Sequence, residues 1–124
     1  MMKKIVLIDD DQVFANNLKA QFNEADEQII VSNDGESGLG QIIKEHPDVV
    51  VVDVILPKML GLSILETVRN DPALKFTPVI LISSYGGESN EKRAIELGAN
   101  AFIVKSTVTL KQLAEMIRKY YPHA

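Results

Sequence analysis

The stretch Lys3-Lys4-Ile5-Val6-Leu7-Ile8-Asp9-Asp10-Asp11 changes character in a single step, from four consecutive aliphatic residues to three consecutive carboxylates. Val49-Val50-Val51-Val52 ends as abruptly, in Asp53. Unbroken apolar runs of this length predict strands covered on both faces, as in a parallel sheet. The acids at their ends are expected outside the core, because an unpaired buried charge is too costly. If the two strands are neighbours, their carboxylates crowd one small place, and only a cation makes that arrangement comfortable. Oxygen ligands with no cysteine or histidine nearby favour magnesium.

Outward from these two runs, strands are predicted over 3–8, 28–32, 48–52, 78–82 and 101–104. Segments with helical spacing lie between them. Phe14, Leu18 and Phe22 share one helical face; Leu39, Ile42 and Ile43 a second; Leu62, Leu65 and Val68 a third. A fourth helix is predicted from an N-cap at Ser89 to a left-handed C-cap at Gly98. The fifth opens at Thr109 with Gln112 three residues on, a capping box, and turns Leu110, Leu113 and Ile117 inward. His46-Pro47 and Asp71-Pro72 are helix stops. This βα order, repeated five times, predicts an α/β fold, a doubly wound five-stranded parallel sheet joined by right-handed crossovers.

Composition bounds the function. The 124 residues suit one domain, 1–124, with an ordinary globular balance of 46% hydrophobic and 24% charged residues. A net charge of −4 argues against direct nucleic-acid contact. The absence of cysteine excludes disulfides, a thiol nucleophile and zinc–thiolate sites. Four apolar residues after Met1-Met2-Lys3-Lys4 are too few for a signal peptide or a membrane span, so a cytoplasmic protein is expected.

In sheets of this kind, ligands bind outside the carboxyl ends of the strands. There the sequence offers Asp9, Asp10 and Asp11 after strand one and Asp53 after strand three. Ser83-Ser84 follow strand four and Lys105 follows strand five. A strand order of 2-1-3-4-5 would gather them at one rim. Metal-bound carboxylates, a small hydroxyl and a lysine form a receptor for a transferring phosphoryl group, with Asp53 as the nucleophile. No Walker loop is present, which excludes the usual nucleoside triphosphatase.

The chain resembles the receiver domains of two-component response regulators. The resemblance is carried in order by IVLIDDD at 5–11, DGESGL at 34–39, DVVVVDVILPKMLG at 48–61, PVILISS at 78–84 and AIELGANAFIVK at 94–105. It implies the flavodoxin-like order 2-1-3-4-5 and assigns roles. Asp53 resembles the phosphorylated residue. Asp10 would bind Mg2+ directly, Asp9 mostly through water, and the backbone carbonyl of Ile55 would complete the set. Ser83 stands at the switch hydroxyl, Lys105 at the family lysine and Phe102 at the aromatic that turns inward with it. The implied donor is a phosphohistidine on a sensor histidine kinase or phosphotransfer protein. The implied readout is the helix 4–strand 5–helix 5 face, toward an effector protein, a fused output domain or a second copy. The domain would catalyse only its own phosphorylation and dephosphorylation.

Three departures carry expectations. Lys105 is followed by Ser106 where the family has proline. A cis bond there would cost about 2.5–4 kcal/mol, so the bond is trans or a strained cis. The run from Lys105 to Leu113 is one residue longer than usual, which predicts a remodelled loop. Ile55 and Tyr85 occupy positions that tune the hydrolytic water, which predicts slow autodephosphorylation.

Duller roles are expected elsewhere. Asp11 reads as a helix-start acid and Asp34-Gly35 as a turn and cap. Met59 packs its loop, Tyr120 and Tyr121 close the last helix on the sheet, and His46 and His123 lie on the surface. A competing resemblance is to haloacid-dehalogenase-type phosphatases, through Asp9-Asp10-Asp11-Gln12-Val13 with Asp9 as nucleophile. It leaves Asp53 without a task. A third class is a phosphate-independent docking module on the same scaffold. The chain stops at Ala124, after helix five, so the expectation is a stand-alone receiver or one cut from a longer protein.

Overall fold

The computed structural model describes residues 2–86 and 88–122. The order is β1 (Lys3–Ile8), α1 (Gln12–Lys19), β2 (Glu27–Ser32), α2 (Gly35–Glu45), β3 (Val49–Asp53) and α3 (Gly61–Asn70). It continues with β4 (Val79–Ser83), α4 (Glu88–Glu96), β5 (Ala101–Val104), a short 3-10 turn (Lys105–Thr107) and α5 (Leu110–Arg118). All strand pairs are parallel, in the order β2-β1-β3-β4-β5. The acid-bearing strands are therefore neighbours, with Ile8 opposite Val52.

Period-two alternation splits the strands between two cores. Val6, Ile8, Val50, Val52, Val79 and Leu81 pack against α2, α3 and α4 through Ile42, Leu65 and Ala94. Ile5, Leu7, Val49, Val51, Ile80 and Ile82 pack against α1 and α5 through Leu18, Leu113 and Ile117. Each such fully buried aliphatic chain stabilises the fold by about 1.5–3 kcal/mol. The double-sided burial explains why these strands are unbroken apolar runs.

Two local expectations change. On α2 the inward face is Gly35, Gly38 and Ile42, and Ile43 is 51% exposed. A Cβ at residue 38 would collide with Ile8, so Gly38 lets the helix come close to the sheet. Ser89 lies inside the first turn of α4, which begins at Glu88. Small polar residues suit a first turn, whose N–H groups lack partners in the helix, as well as they suit the cap.

The other end signals hold. Gly98 has φ +99°, and the Gly98 and Ala99 amides donate to Ile95 and Ala94, closing α4 with a Schellman motif. Thr109 and Gln112 form both bonds of a capping box, at 2.8 and 3.0 Å. Helices α2 and α3 stop before His46-Pro47 and Asp71-Pro72. His46 is exposed, whereas His123 lies outside the described residues. Among the described residues no helix is long and apolar enough to cross a membrane.

Candidate functional site

The carboxyl ends of β1, β3, β4 and β5 meet in a pocket of about 190 Å³, lined by Asp10, Asp53, Ile55, Ser83, Tyr85 and Lys105. A larger hollow of about 420 Å³ lies by Phe22, Glu27 and Ile29 but lacks convergent charges of this kind. Carboxylate oxygens of Asp9, Asp10 and Asp53 lie within 4.8 Å of one another. The Lys105 ammonium bridges two of them, 2.7 Å from Asp9 Oδ2 and 2.9 Å from Asp53 Oδ2.

The acids are not all outside the core. Asp9 is 0% exposed and Asp53 is buried as the last residue of β3, while Asp10 is exposed. A distant lysine makes this burial tolerable, and no local pattern announces it. Asp9 Oδ1 accepts from the Asp11 amide at 2.9 Å, whereas among the described residues Oδ2 has no hydrogen bond of good geometry and only the ammonium as partner. Burial raises the Asp9 carboxyl above its ordinary range, exceeding the help from Lys105 and the Asp11 amide. Burial pulls Lys105 down, but the two carboxylates outweigh it and hold the ammonium above its usual value. Three carboxylates against one ammonium leave an excess of negative charge. With only oxygen donors on offer, the cluster fits a hard divalent cation such as Mg2+.

The loop after β3 frames the pocket. Asp53 Oδ1 accepts from the Ile55 amide at 2.9 Å, and the Ile55 side chain points to solvent. Gly61 opens α3 so close to Asp53 that a Cβ would strike its carbonyl oxygen. Met59 packs on the core, and Leu60 is exposed. Asp11 and Asp34 are N-caps, accepting from Phe14 and Ser37 amides at 3.1 and 2.8 Å.

Ser83 is buried, and its hydroxyl donates to the Tyr85 carbonyl rather than to Asp53. Phe102 is half-buried against the core on the α4 side. Lys105 opens a 3-10 turn, Thr107 Oγ1 donates to the Val104 carbonyl at 2.7 Å, and Lys105-Ser106 is trans. The three residues after Val104 thus form a tight turn of their own, and the bond is the trans one of the two expected forms.

Two features escaped the sequence reading. Phe14, read only as a core position of α1, stands over Lys105 with its ring centroid 4.3 Å from the ammonium. Glu27 is buried at the start of β2 and takes a two-point contact from Arg118 at 2.9 and 3.0 Å, and the Tyr121 hydroxyl at 2.6 Å. The expected closure of the last helix by Tyr121 therefore runs through a carboxylate.

The family model for the response regulator receiver domain matches residues 5–118. The chain belongs to this family. A probable transcriptional regulator, ycf27 of Guillardia theta, is 28% identical over 116 residues, covering 94% of this chain and 44% of that protein. This receiver spans less than half the length of the curated relatives it matches. A putative response regulator from Chloroflexus aurantiacus J-10-fl superposes with a TM-score of 0.87 at 27% identity, covering 97% and 98% of the two chains. The phosphorylated cyanobacterial phytochrome response regulator RcpA follows with a TM-score of 0.80 at 25% identity, covering 96% and 91%. A phosphatase with Asp9 as nucleophile does not agree with this receiver: Asp9 is sealed behind Lys105, and Asp53 lines the pocket.

Proposed function

We propose that this receiver accepts a phosphoryl group on Asp53, in a Mg2+-dependent reaction, within a two-component or phosphorelay pathway. The observation that carries the reading is the meeting of Asp9, Asp10 and Asp53 with Lys105 across two of them. A bound Mg2+ would neutralise charge shared by the carboxylates and the phosphoryl oxygens. The Ile55 amide and Lys105 orient the Asp53 carboxylate from opposite oxygens, leaving it aimed into the pocket. An Asp53 oxygen attacks phosphorus, the P–N bond of the donor phosphohistidine breaks, and its electron pair returns to the imidazole, which solvent protonates. The Lys105 ammonium then shifts its ion pair from the Asp53 carboxylate to a phosphoryl oxygen, and Ser83 turns its hydroxyl the same way. The new charge favours one of two packings, with Phe102 following Ser83.

The donor in this reading is a sensor histidine kinase or phosphotransfer protein in the cytoplasm. The α4–β5–α5 face carries the signal to an effector, an output domain or a second copy. The domain has no other catalytic task. The support is family membership, the donor set and a relative described as phosphorylated.

The test is intact mass after incubation with acetyl phosphate and Mg2+. One added phosphoryl group that requires Mg2+ and vanishes in Asp53→Asn is expected. Label that survives Asp53→Asn but requires Asp9 would overturn the assignment. Mg2+ binding without any label would point to a phosphate-independent docking module.

A further inference from the structure

We propose that Phe14 is a positioning residue for Lys105, its ring holding the ammonium at the junction of Asp9 and Asp53. The inference deepens the phospho-acceptor reading and rests on it.

Lys105 sits at the end of β5, and the chain turns away at once through exposed Ser106 and Thr107. Nothing in that short turn fixes a four-carbon side chain. Its head is held from three other directions instead. Asp9 Oδ2 and Asp53 Oδ2 lie at 2.7 and 2.9 Å, and the Phe14 ring at 4.3 Å covers a third side. A lysine head brings three N–H donors on a freely rotating stem. Two carboxylates define a line along which it can slide, whereas a ring face attracts the cation by its quadrupole and fixes it to one side.

The backbone that carries the ring is itself anchored by the acids. Asp9 Oδ1 accepts from the Asp11 amide, and Asp11 Oδ1 accepts from the Phe14 amide. Lys105 then closes the circuit from Phe14 back to Asp9 Oδ2. The stretch that supplies the metal-ligating acids therefore also supplies the platform for the lysine that serves the phosphoryl group. Phe14 is half-buried, so its ring faces both the α1 core and the ammonium.

A merely structural Phe14 would tolerate leucine, which fills the space without a π face, as well as it tolerates tyrosine. A positioning role separates the two. Phosphorylation by acetyl phosphate should slow several-fold in Phe14→Leu and hold near the starting rate in Phe14→Tyr. Phe14→Leu should have no further effect in a Lys105→Met background. A second readout needs no phosphate. The side-chain methylene protons of Lys105 should show an upfield ring-current shift in NMR spectra that Phe14→Leu abolishes and Phe14→Tyr keeps. Equal rates for the leucine and tyrosine variants would overturn the proposal, as would slowing by leucine that persists without Lys105. If the parent protein takes no label at Asp53, the acceptor reading fails separately. The lysine shift then still decides the contact, and identical Lys105 signals in parent and Phe14→Leu would overturn it.

Discussion

The Ser83 hydroxyl donates to the Tyr85 carbonyl at 2.7 Å and accepts from the Tyr85 amide at 3.1 Å. Both of its hydrogen bonds are spent on its own loop. Asp53 stands across the same pocket without a bond from it. The loop after β4 is thus closed on itself, in a geometry that must open before Ser83 can meet a phosphoryl group on Asp53.

Ser83→Ala should therefore accept phosphate yet fail to pass the change on. Each neutral hydrogen bond of this kind contributes about 1 kcal/mol, small enough for a new charge to redirect. On phosphorylation, the amide NMR signals of Tyr85 and β5 should move in the parent protein. In Ser83→Ala the Tyr85 amide should already be displaced, and the β5 response should shrink. Equal β5 responses in the two proteins would rule out Ser83 as the link.

Mg2+ should raise the melting temperature at neutral pH, because three carboxylates crowd one ammonium. A ligand at a hundred times its Kd stabilises by about 2.7 kcal/mol. Asp10 is exposed and has no ion pair among the described residues, so Asp10→Asn removes a repelling charge at little structural cost. That variant should melt no lower than the parent without metal and should lose most of the Mg2+ response. Thermal scans across a magnesium titration of both proteins check this, and an undiminished response in Asp10→Asn would dismiss Asp10 as a ligand.

The fold was legible because β1, β3 and β4 are covered on both faces, which leaves unbroken apolar runs in the sequence. The rim was legible because each run ends at a polar or charged residue of the cluster around Lys105 and Asp53. What the sequence hid are relations across strands. Asp9 looked like a surface acid because the lysine that neutralises it follows the last strand. The inward face of α2 was misjudged because Gly38 contributes contact by lacking a side chain, and hydrophobic periodicity does not register a missing one. Phe14 satisfies the helical pattern of α1 whether or not a cation lies above it. The orientation of the Ser83 hydroxyl depends on the path of its loop, not on residue type.

Glu27 ties the start of β2 to the end of α5 and makes stability pH-dependent. The Arg118 guanidinium, hydrogen-bonded to it, outweighs burial and holds its carboxyl at about 2, against 4.5 ordinarily. A carboxyl depressed on folding contributes stability that is fully present above about pH 4.5 and is lost as pH falls toward 2. Arg118 is partly exposed, so the contribution is discounted to on the order of 2 kcal/mol. Glu27→Gln should cost that much in urea unfolding at pH 7, and the gap to the parent should close between pH 4.5 and 2. A gap that stays constant across this window would mean that packing, not the ion pair, sets the difference.

The lifetime of the phosphoryl group should depend on two side chains at the mouth of the pocket. Ile55 is 63% exposed and Tyr85 75% exposed, and both line the space beside Asp53. Hydrolysis needs a water aligned behind phosphorus, and an aliphatic chain offers that water no hydrogen bond. Tyr85 is bulky and lines the same pocket, so its ring is expected to narrow the approach. Phosphorylated protein, freed of donor, should keep its label for minutes to hours rather than seconds. Ile55→Asn should shorten that lifetime by about tenfold, equivalent to about 1.4 kcal/mol of barrier, by giving the water a partner. Tyr85→Ala should shorten it by widening access. The two effects should combine more than additively if the widened approach admits a water that the introduced asparagine side chain then orients. Intact mass followed over time after donor removal decides the matter, and rapid loss of label from the parent protein would show that Ile55 and Tyr85 do not shield Asp53.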